Sequence, residues 1–232
     1  YLSTTDRLLT SIGEENVSRT IANFGLEPAV DKLLPQGIQT TLLDFVHAYS
    51  AFVNGGRMIG KESISNGNTE IYPVSVEQVI DVSGYLWLAE EQPREIPVIT
   101  PQLAYLIFDI LKDETSRWPS LGHPNKLEIG RPAAAKMGVV PGETYGWTIG
   151  YSSSYMVGVW TGAREAESTE IDIDLSIEYA DSAASIWQAI QRYIVQDEPI
   201  LPQEIPVGIN NRNVCDPSGL LPTQDCPTIV NE

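Results

Sequence analysis

Basic residues are scarce in this 232-residue chain, which has 14 lysines and arginines against 31 aspartates and glutamates and a net charge of −17. A nucleic-acid-binding protein neutralises phosphates with lysine and arginine, so this balance excludes a nucleic-acid partner and a polybasic membrane contact. Long apolar runs are missing too, because no stretch approaches the roughly 18 apolar residues that a membrane span needs. We therefore expect a soluble chain, and the sequence after Tyr1 does not have the pattern of a signal peptide.

Cysteine and histidine are almost absent. A turn-forming stretch, residues 216–219, lies between Cys215 and Cys226 and can bring them within disulfide distance. The alternative is two reduced thiols in a loop. His47 is expected to pack inside a helix, and His123 has no serine or cysteine partner at a recognisable spacing, so the sequence predicts no metal site.

Apolar residues recur at helical spacing in several segments of the chain. The predicted helices cover residues 4–12, 14–24, 40–54, 98–113 and 180–195. Thr100 and Pro101 suit the N-cap and the first turn of the 98–113 helix. Its expected buried stripe is Leu103, Leu106, Ile107, Ile110 and Leu111. The stripe expected on the last helix is Ala183, Ile186, Trp187, Ile190, Tyr193 and Ile194.

Three consecutive β-prone segments lie between the last two helices, at Ala133–Val140, Tyr145–Ser152 and Tyr155–Ala163. Loops this short require antiparallel neighbours. Helices grouped before and after an antiparallel sheet predict an α+β fold. We divide the chain into a structured portion, residues 1–196, and a C-terminal extension rich in proline and glycine, residues 197–232, which we expect to be irregular.

The candidate substrate-binding residues are Lys136, Met137, Gly138 and Val139, on the first of these strands. Glycine lets a substrate backbone lie against a strand, and the free N–H and C=O groups of an edge strand pair with an extended peptide. The lysine ammonium can attract a carboxylate. By itself the tripeptide is a weak signal, because a lysine on an edge strand also serves to discourage aggregation.

In its context this segment resembles the penicillin-binding proteins, specifically the C-terminal part of the transpeptidase domain of the bifunctional class A type. In that family, a Gly-Arg-Pro-like approach leads into Lys-Thr-Gly-Thr, then Trp-Phe-x-Gly-Tyr and Val-x-Val-Trp-x-Gly strands. Here residues 130–139, 147–151 and 157–162 follow that order. Residues 40–56 resemble the family's Thr-Pro-Leu and Ala-Tyr-Ala-x-Phe-Ala-Asn-Gly-Gly segment, and residues 206–226 resemble its exit from the domain. Residues 57–97 match only loosely.

The resemblance implies a partial penicillin-binding transpeptidase or β-lactamase-like fold for residues 1–196, without metal or organic cofactor. Family enzymes use Ser-x-x-Lys, Ser-x-Asn and Lys-Thr-Gly motifs. No serine here is followed by lysine at the third position or by asparagine at the second. Tyr1 is expected to lie just after the position of the missing Ser-x-Asn motif, so the chain contains no catalytic serine nucleophile. Met137 and Val139 replace the threonines of Lys-Thr-Gly-Thr and cannot donate their hydrogen bonds.

Two functions follow from the resemblance. In the first, the chain is part of a peptidoglycan D,D-transpeptidase, whose ligands are stem peptides and β-lactams. We expect this chain to bind them weakly, because Met137 and Val139 replace the threonines. In the second, it belongs to a pseudoenzyme that binds cell-wall peptide or a protein partner without turnover. Unrelated binding by an α+β domain is the third alternative. The family works on the extracytoplasmic face of the bacterial membrane with an N-terminal anchor, which fits a Cys215–Cys226 disulfide. A partial sheet also predicts self-association of the isolated chain.

Overall fold

A computed structural model describes residues 2–26, 40–65, 68–89, 92–139, 144–152, 154–163, 173–216 and 218–231. The helices are α1 (Leu2–Ile12), α2 (Glu14–Asn23), α3 (Leu42–Val53), α4 (Pro101–Lys112), α5 (Trp118–Leu121) and α6 (Ile173–Val195). The strands are β1 (Arg57–Ser65), β2 (Asn68–Tyr72), β3 (Gln78–Ile80), β4 (Leu86–Ala89), β5 (Arg94–Pro97), β6 (Ala134–Val139), β7 (Tyr145–Tyr151), β8 (Met156–Gly162), β9 (Asn213–Asp216) and β10 (Thr228–Asn231). The predicted α+β class is confirmed.

The central sheet is formed by the three predicted strands, which are antiparallel in the order β6-β7-β8. Residues that face each other across the sheet share a side, so the register sorts the side chains into two faces. Met137, Thr148 and Val159 form one row across the sheet, and Lys136, Ile149 and Gly158 form the next row on the opposite face.

Helix α6 covers the first of these faces through glycines of β7 and alanines of its own. A Cβ atom added to Gly146 would lie 2.2 Å from the backbone nitrogen of Ala180, and one added to Gly150 would lie 2.6 Å from the Trp187 ring. Ala180, Ala183 and Trp187 are fully buried at this contact. The helix therefore packs directly on the strand backbone and encloses the larger hydrophobic cluster.

Helices α3 and α4 cover the opposite face. Gly158 makes room for α3, because a Cβ there would lie 2.3 Å from Cγ2 of Val46. Phe108 of α4 packs with Ala134 of β6 and Tyr151 of β7, with ring centroids of Phe108 and Tyr151 5.6 Å apart. The two faces give the sheet a helix layer on each side.

The predicted helices are confirmed, and Thr41 and Thr100 are the N-caps of α3 and α4. Helix α6 begins at Ile173, earlier than the predicted residue 180.

The two predicted buried stripes are wrong in part. In α4 the buried residues are Ala104 and Phe108, whereas three stripe members are exposed: Leu103, Leu106 and Ile110. In α6, Ala183 and Trp187 are buried as predicted, but three other members are exposed: Ile186, Ile190 and Tyr193. The physical reason differs between the two helices. Alanines let α6 approach the backbone of β7 closely, whereas α4 turns inward the face that carries Ala104 and Phe108, because Phe108 packs on Ala134 and Tyr151 of the sheet.

Smaller units surround this core. Strands β2-β1-β5 form a second antiparallel sheet, β3 and β4 form a hairpin, and β9 pairs with β10 in the C-terminal extension. The extension was expected to be irregular, and this pairing is a difference from that expectation. Cys215 and Cys226 form a disulfide within this two-stranded unit. None of the helices in the described ranges is both long and apolar enough to cross a membrane.

The close approach of α6 to β7 gives a direct test. The Gly146→Ala variant places a methyl group against the backbone of Ala180, which cannot move without shifting the helix. We expect the free energy of unfolding in urea to fall by about 1–3 kcal/mol. Gly138→Ala is the matched control, because its Cβ would meet only the Trp147 Cβ at 3.7 Å. Equal urea midpoints for the two variants would contradict the packing described here.

Candidate functional site

The candidate strand β6 lies at one edge of the sheet formed by β6, β7 and β8. Its pairing with β7 uses one side of the strand, so within the described residues the N–H and C=O groups of the other side face outward. Lys136 is exposed and Gly138 is half-buried on this strand. The strand therefore presents an unpaired edge with the candidate residues on it.

The four predicted residues do not share one face. Lys136 belongs to the row that continues through Ile149 to Gly158, whose Cβ position lies against Val46 of α3. Met137 lies on the α6 face, where it packs against the larger hydrophobic cluster. Alternation along a strand places Gly138 with Lys136, and Val139 with Met137.

Lys136 points to the α3 face with its ammonium available at the surface. Its Nζ donates a hydrogen bond to the carbonyl oxygen of Met137 at 3.0 Å. In the described part of the chain, no carboxylate forms an ion pair with it. The charge is therefore not neutralised by a described acidic neighbour and can attract an anionic group at the strand edge.

Gly138 begins a row that continues across the sheet through Trp147 to Trp160. Trp147 is supported from below by Phe45 of α3, with ring centroids 5.7 Å apart in an edge-to-face arrangement. A Cβ at position 138 would make only ordinary contact within this chain. Internal packing therefore does not require glycine at position 138. Because glycine has no side chain, the strand backbone beside Lys136 is not covered by one.

Met137 and Val139 differ in their surroundings although they share a face. Met137 is half-buried and fills space between the sheet and α6. Val139 is 41% exposed near the end of the strand. Neither side chain can donate a hydrogen bond to a substrate. Met137 thus contributes to the core, and Val139 is the position at which a hydroxyl could be introduced without opening a cavity.

The loop that enters β6 is fixed to the end of α6 by Arg131. Its guanidinium donates to the carbonyl oxygens of Val195 at 2.6 Å, Glu198 at 3.1 Å and Pro199 at 2.7 Å. Carbonyls at a helix C-terminus lack partners within the helix, and a cation there is also favoured by the helix dipole. Arg131 therefore sets where β6 starts relative to α6.

A second anchor in the same loop is Glu128, which the sequence did not reveal. Its carboxylate accepts hydrogen bonds from Nδ2 of Asn125 at 2.6 Å and Nε1 of Trp118 at 3.2 Å, and it pairs with Nδ1 of His123 at 3.0 Å. Burial raises the pKa of Glu128, but the hydrogen bonds and the charge of His123 outweigh this and lower it. The carbonyl of Glu128 also accepts from Gln188 and Arg192 of α6.

The two histidines have structural partners. Nε2 of His47 lies 3.0 Å from the carbonyl oxygen of Ile59, as expected for a histidine that packs within a helix. His123 stacks on Trp118, with ring centroids 4.4 Å apart, while it pairs with Glu128. Spacing alone could not reveal this cluster, because its members come together only through the turn of the loop. In the described ranges, no group of three histidine, cysteine or acidic residues is arranged to hold a metal ion.

Three proteins that are similar to this chain in sequence or in fold share one name. No family model matches the chain. It is 28% identical over 188 residues to penicillin-binding protein 1A of Clostridium tetani, which covers 81% of this chain and 22% of that protein. It is 24% identical over 219 residues to penicillin-binding protein 1A of Neisseria gonorrhoeae, which covers 89% of this chain and 25% of that protein.

The fold leads to the same group. The crystal structure of penicillin-binding protein 1A from Haemophilus influenzae superposes with a TM-score of 0.71 and 17% identity, over 97% of this chain and 37% of that one. The chain is thus a relative of the penicillin-binding proteins, with their transpeptidase-like α+β fold. The similar sequences are named penicillin-binding protein 1A, and the chain spans about a fifth to a quarter of their length.

The Glu128 cluster predicts a pH-dependent stability. A carboxylate whose pKa is lowered by folding stabilises the protein above its unfolded pKa, about 4.3, and this contribution is lost as the pH falls through the folded value. Glu128→Gln should therefore lower Tm at pH 7. The difference in Tm from the unsubstituted chain should shrink as the pH falls from about 5 to about 3, a range that extends about one pH unit to either side of the unfolded pKa.

The matched control is Asp197→Asn, which removes an exposed carboxylate. Calorimetric Tm values for all three proteins across this pH range make the comparison, and the control should follow the unsubstituted chain. A Glu128→Gln difference that stays constant from neutral to acidic pH would show that the charge of Glu128 does not stabilise the loop.

Proposed function

We propose that this chain is the part of a penicillin-binding, peptidoglycan D,D-transpeptidase-like domain that presents the substrate strand. The observation that carries the proposal is the outer edge of β6. This strand pairs with β7 on one side only, and Lys136 and Gly138 share one of its faces. An extended peptide can add to this edge through main-chain hydrogen bonds. The names of the similar proteins support penicillin as a ligand of the complete domain.

In this proposal each residue has a limited role. The backbone of β6 holds the extended stem peptide, Gly138 allows its close approach, and the Lys136 ammonium attracts its carboxylate. Arg131 and Glu128 position the strand through α6. In the complete enzyme, a serine hydroxyl attacks the peptide bond of a D-Ala-D-Ala stem peptide, which forms an acyl ester and releases the terminal D-alanine; an amine then takes the acyl group and frees the serine. This chain contains neither the Ser-x-x-Lys nor the Ser-x-Asn motif. The place of action is the cell envelope.

A second candidate function is that of a pseudoenzyme, which binds cell-wall peptide or a protein partner without turnover. Met137 and Val139 favour it, because they occupy the threonine positions of the family motif. A lost hydrogen bond to a charged group costs about 1.5–3 kcal/mol, which corresponds to roughly ten- to hundredfold in binding. The substitutions at positions 137 and 139 therefore weaken recognition in either function.

Without a nucleophile in a Ser-x-x-Lys motif, the chain by itself should not react covalently with penicillin. Incubation of this chain with benzylpenicillin should leave its intact mass unchanged, because none of its serines lies in a Ser-x-x-Lys motif. A β-lactamase-fold enzyme with known acylation serves as the positive control for the reagent. An added penicilloyl group that disappears when one serine is replaced would contradict the assignment of the nucleophile to another part of the protein.

The second prediction separates the enzyme from the pseudoenzyme in the full-length protein. Val139→Thr should increase the rate of penicillin acylation about tenfold or more, since it restores a donor at an exposed position. Lys136→Ala should reduce acylation, and Val139→Ala is the control for a change of size alone. Intact-mass time courses measure all four proteins. Acylation that is absent in the unsubstituted protein and in Val139→Thr supports the pseudoenzyme, and acylation unaffected by Lys136→Ala contradicts the role of this strand.

A further inference from the structure

Residues 199–207, which we call the strap, run beside helix α4 and are tied down at both ends. At the start, Nη2 of Arg131 donates to the carbonyl oxygen of Pro199 at 2.7 Å. At the end, Nε2 of Gln102 donates to the carbonyl oxygen of Val207 at 2.8 Å. Three of its residues are prolines, which fix their own backbone angle, lack an N–H donor and favour an extended segment.

A cavity of about 360 Å³ lies between α4 and the strap. Pockets that bind small molecules typically measure roughly 300–1,000 Å³, so this one has the size for a short ligand. Its walls are mainly apolar, with Tyr105 and Phe108 on the side of α4 and Ile200, Leu201 and Ile205 on the strap. Those three aliphatic side chains are each more than half exposed, so the described residues leave them largely uncovered. We call this feature the strap cavity.

The two charged residues that line the strap cavity are both basic. They are Lys112 and Arg131, in a chain with 14 basic and 31 acidic residues. Arg131 donates three hydrogen bonds, all to main-chain carbonyl oxygens, and within the described ranges it forms no ion pair. Because a guanidinium has five N–H donors, these bonds leave two of them for a ligand. No described carboxylate neutralises the charge of Arg131.

Lys112 is held against the aromatic wall. Its Nζ lies 5.4 Å from the centroid of the Phe108 ring and 5.9 Å from that of the Tyr105 ring, and it pairs with Oδ1 of Asp109 at 2.6 Å. An ammonium has three N–H donors, so the pair with Asp109 leaves two. Lys112 therefore keeps donors for a second anionic partner, although Asp109 offsets part of its charge.

Acidic residues gather in a different cavity. A wider one of about 770 Å³ shares Lys112 and Arg131 with the strap cavity, and three acids line it: Asp109, Asp113 and Glu114. Like charges repel, so these carboxylates disfavour an anion there. Glu198 follows the end of α6, and its carboxylate accepts a hydrogen bond from the Tyr155 hydroxyl at 3.4 Å. An anionic group near the two basic residues is therefore favoured on the strap side.

We propose that the strap cavity binds a short amphiphilic carboxylate. Its aliphatic chain would lie between α4 and the strap, and its carboxylate would accept charge-assisted hydrogen bonds from Arg131 and Lys112. A cationic amphiphile would meet two like charges, and an uncharged one would leave the Arg131 donors without an acceptor. The inference is independent of the proposed function, because none of residues 134–139 lines this cavity.

The apolar walls favour an aliphatic chain over the carboxyl end of a peptide. A peptide brings main-chain N–H and C=O groups, and each of these needs a hydrogen-bond partner when it is buried. Apart from the two basic residues, the polar side chains of the lining are Tyr105 and Gln203. An aliphatic chain has no such requirement, so it matches these walls better.

The test uses the full chain and octanoate, with 1-octanol and octylamine as matched ligands of the same length. Calorimetry measures affinity, and ¹H–¹⁵N NMR locates the site. We expect saturable binding of octanoate that shifts the amide resonances of Ile200, Leu201 and Ile205 and weakens at high salt. The uncharged and the cationic ligand should each bind about tenfold more weakly or worse.

Two variants with matched controls test the contacts. Lys112→Gln should weaken octanoate binding about fivefold. Arg19→Gln also removes an exposed basic residue that pairs with a carboxylate one helical turn away, and it should bind like the unsubstituted chain. Leu201→Ser should likewise weaken binding about fivefold, because it removes part of the apolar wall. Leu220→Ser, at a similarly exposed leucine outside the strap, is its control.

Four results would overturn the inference: no saturable binding of octanoate, equal affinity for 1-octanol or octylamine, unchanged binding by Lys112→Gln and Leu201→Ser, or equal weakening by their controls. Tighter binding of acetyl-leucyl-leucine than of octanoate would assign the cavity to a peptide terminus and would also overturn it. The indole resonance of the buried Trp187 reports whether each variant is folded. Failure of this test leaves the penicillin experiments unaffected, so the two proposals fail separately.

Discussion

The packing of α6 on the bare backbone of β7 is the contact on which the rest of the structure depends. Glycine at positions 146 and 150 removes the side chains that would separate helix from strand, and Trp187 fills the remaining space. Such an approach gives many small dispersion contacts, and it tolerates no added volume. Since β7 is the middle strand, fixing it to α6 also fixes the planes of β6 and β8.

The candidate site is a consequence of this arrangement. Once α6 occupies one face, Met137 must pack into that core, and Lys136 is directed to the face of α3 and α4. Arg131 and Glu128 then connect the entry loop of β6 to the end of the same helix. Helix α6 therefore determines the plane of β6, the residue at which this strand starts and the face to which each of its side chains points. This is the strand that we propose to hold substrate.

Sequence patterns predicted the elements better than their contacts. Caps at Thr41 and Thr100 depend on neighbouring residues alone, so the helix starts could be inferred from the chain. The buried face of α4 could not, because Leu106 is as apolar as the residues that are buried, and only the packing of Phe108 on Ala134 and Tyr151 determines which face turns inward. Strand alternation places Lys136 and Met137 on opposite faces of β6. Which of the two faces α6 covers depends on the folded structure and could not be read from the sequence. The Glu128 cluster was missed because its members come together only through the geometry of the loop.

The central claim is that β6 offers one unpaired edge, held in place by the strand and helix on its other sides. Amide hydrogen exchange of residues 134–139, measured by NMR, tests this most directly. In an edge strand, alternate N–H groups bond to β7 and exchange slowly, while those between them face outward and exchange quickly. We expect this alternation, with the outward amides of β6 becoming slower when an extended peptide ending in a carboxylate is added. Uniform protection of all β6 amides in the chain alone would show that another segment already covers the edge, and it would contradict the account.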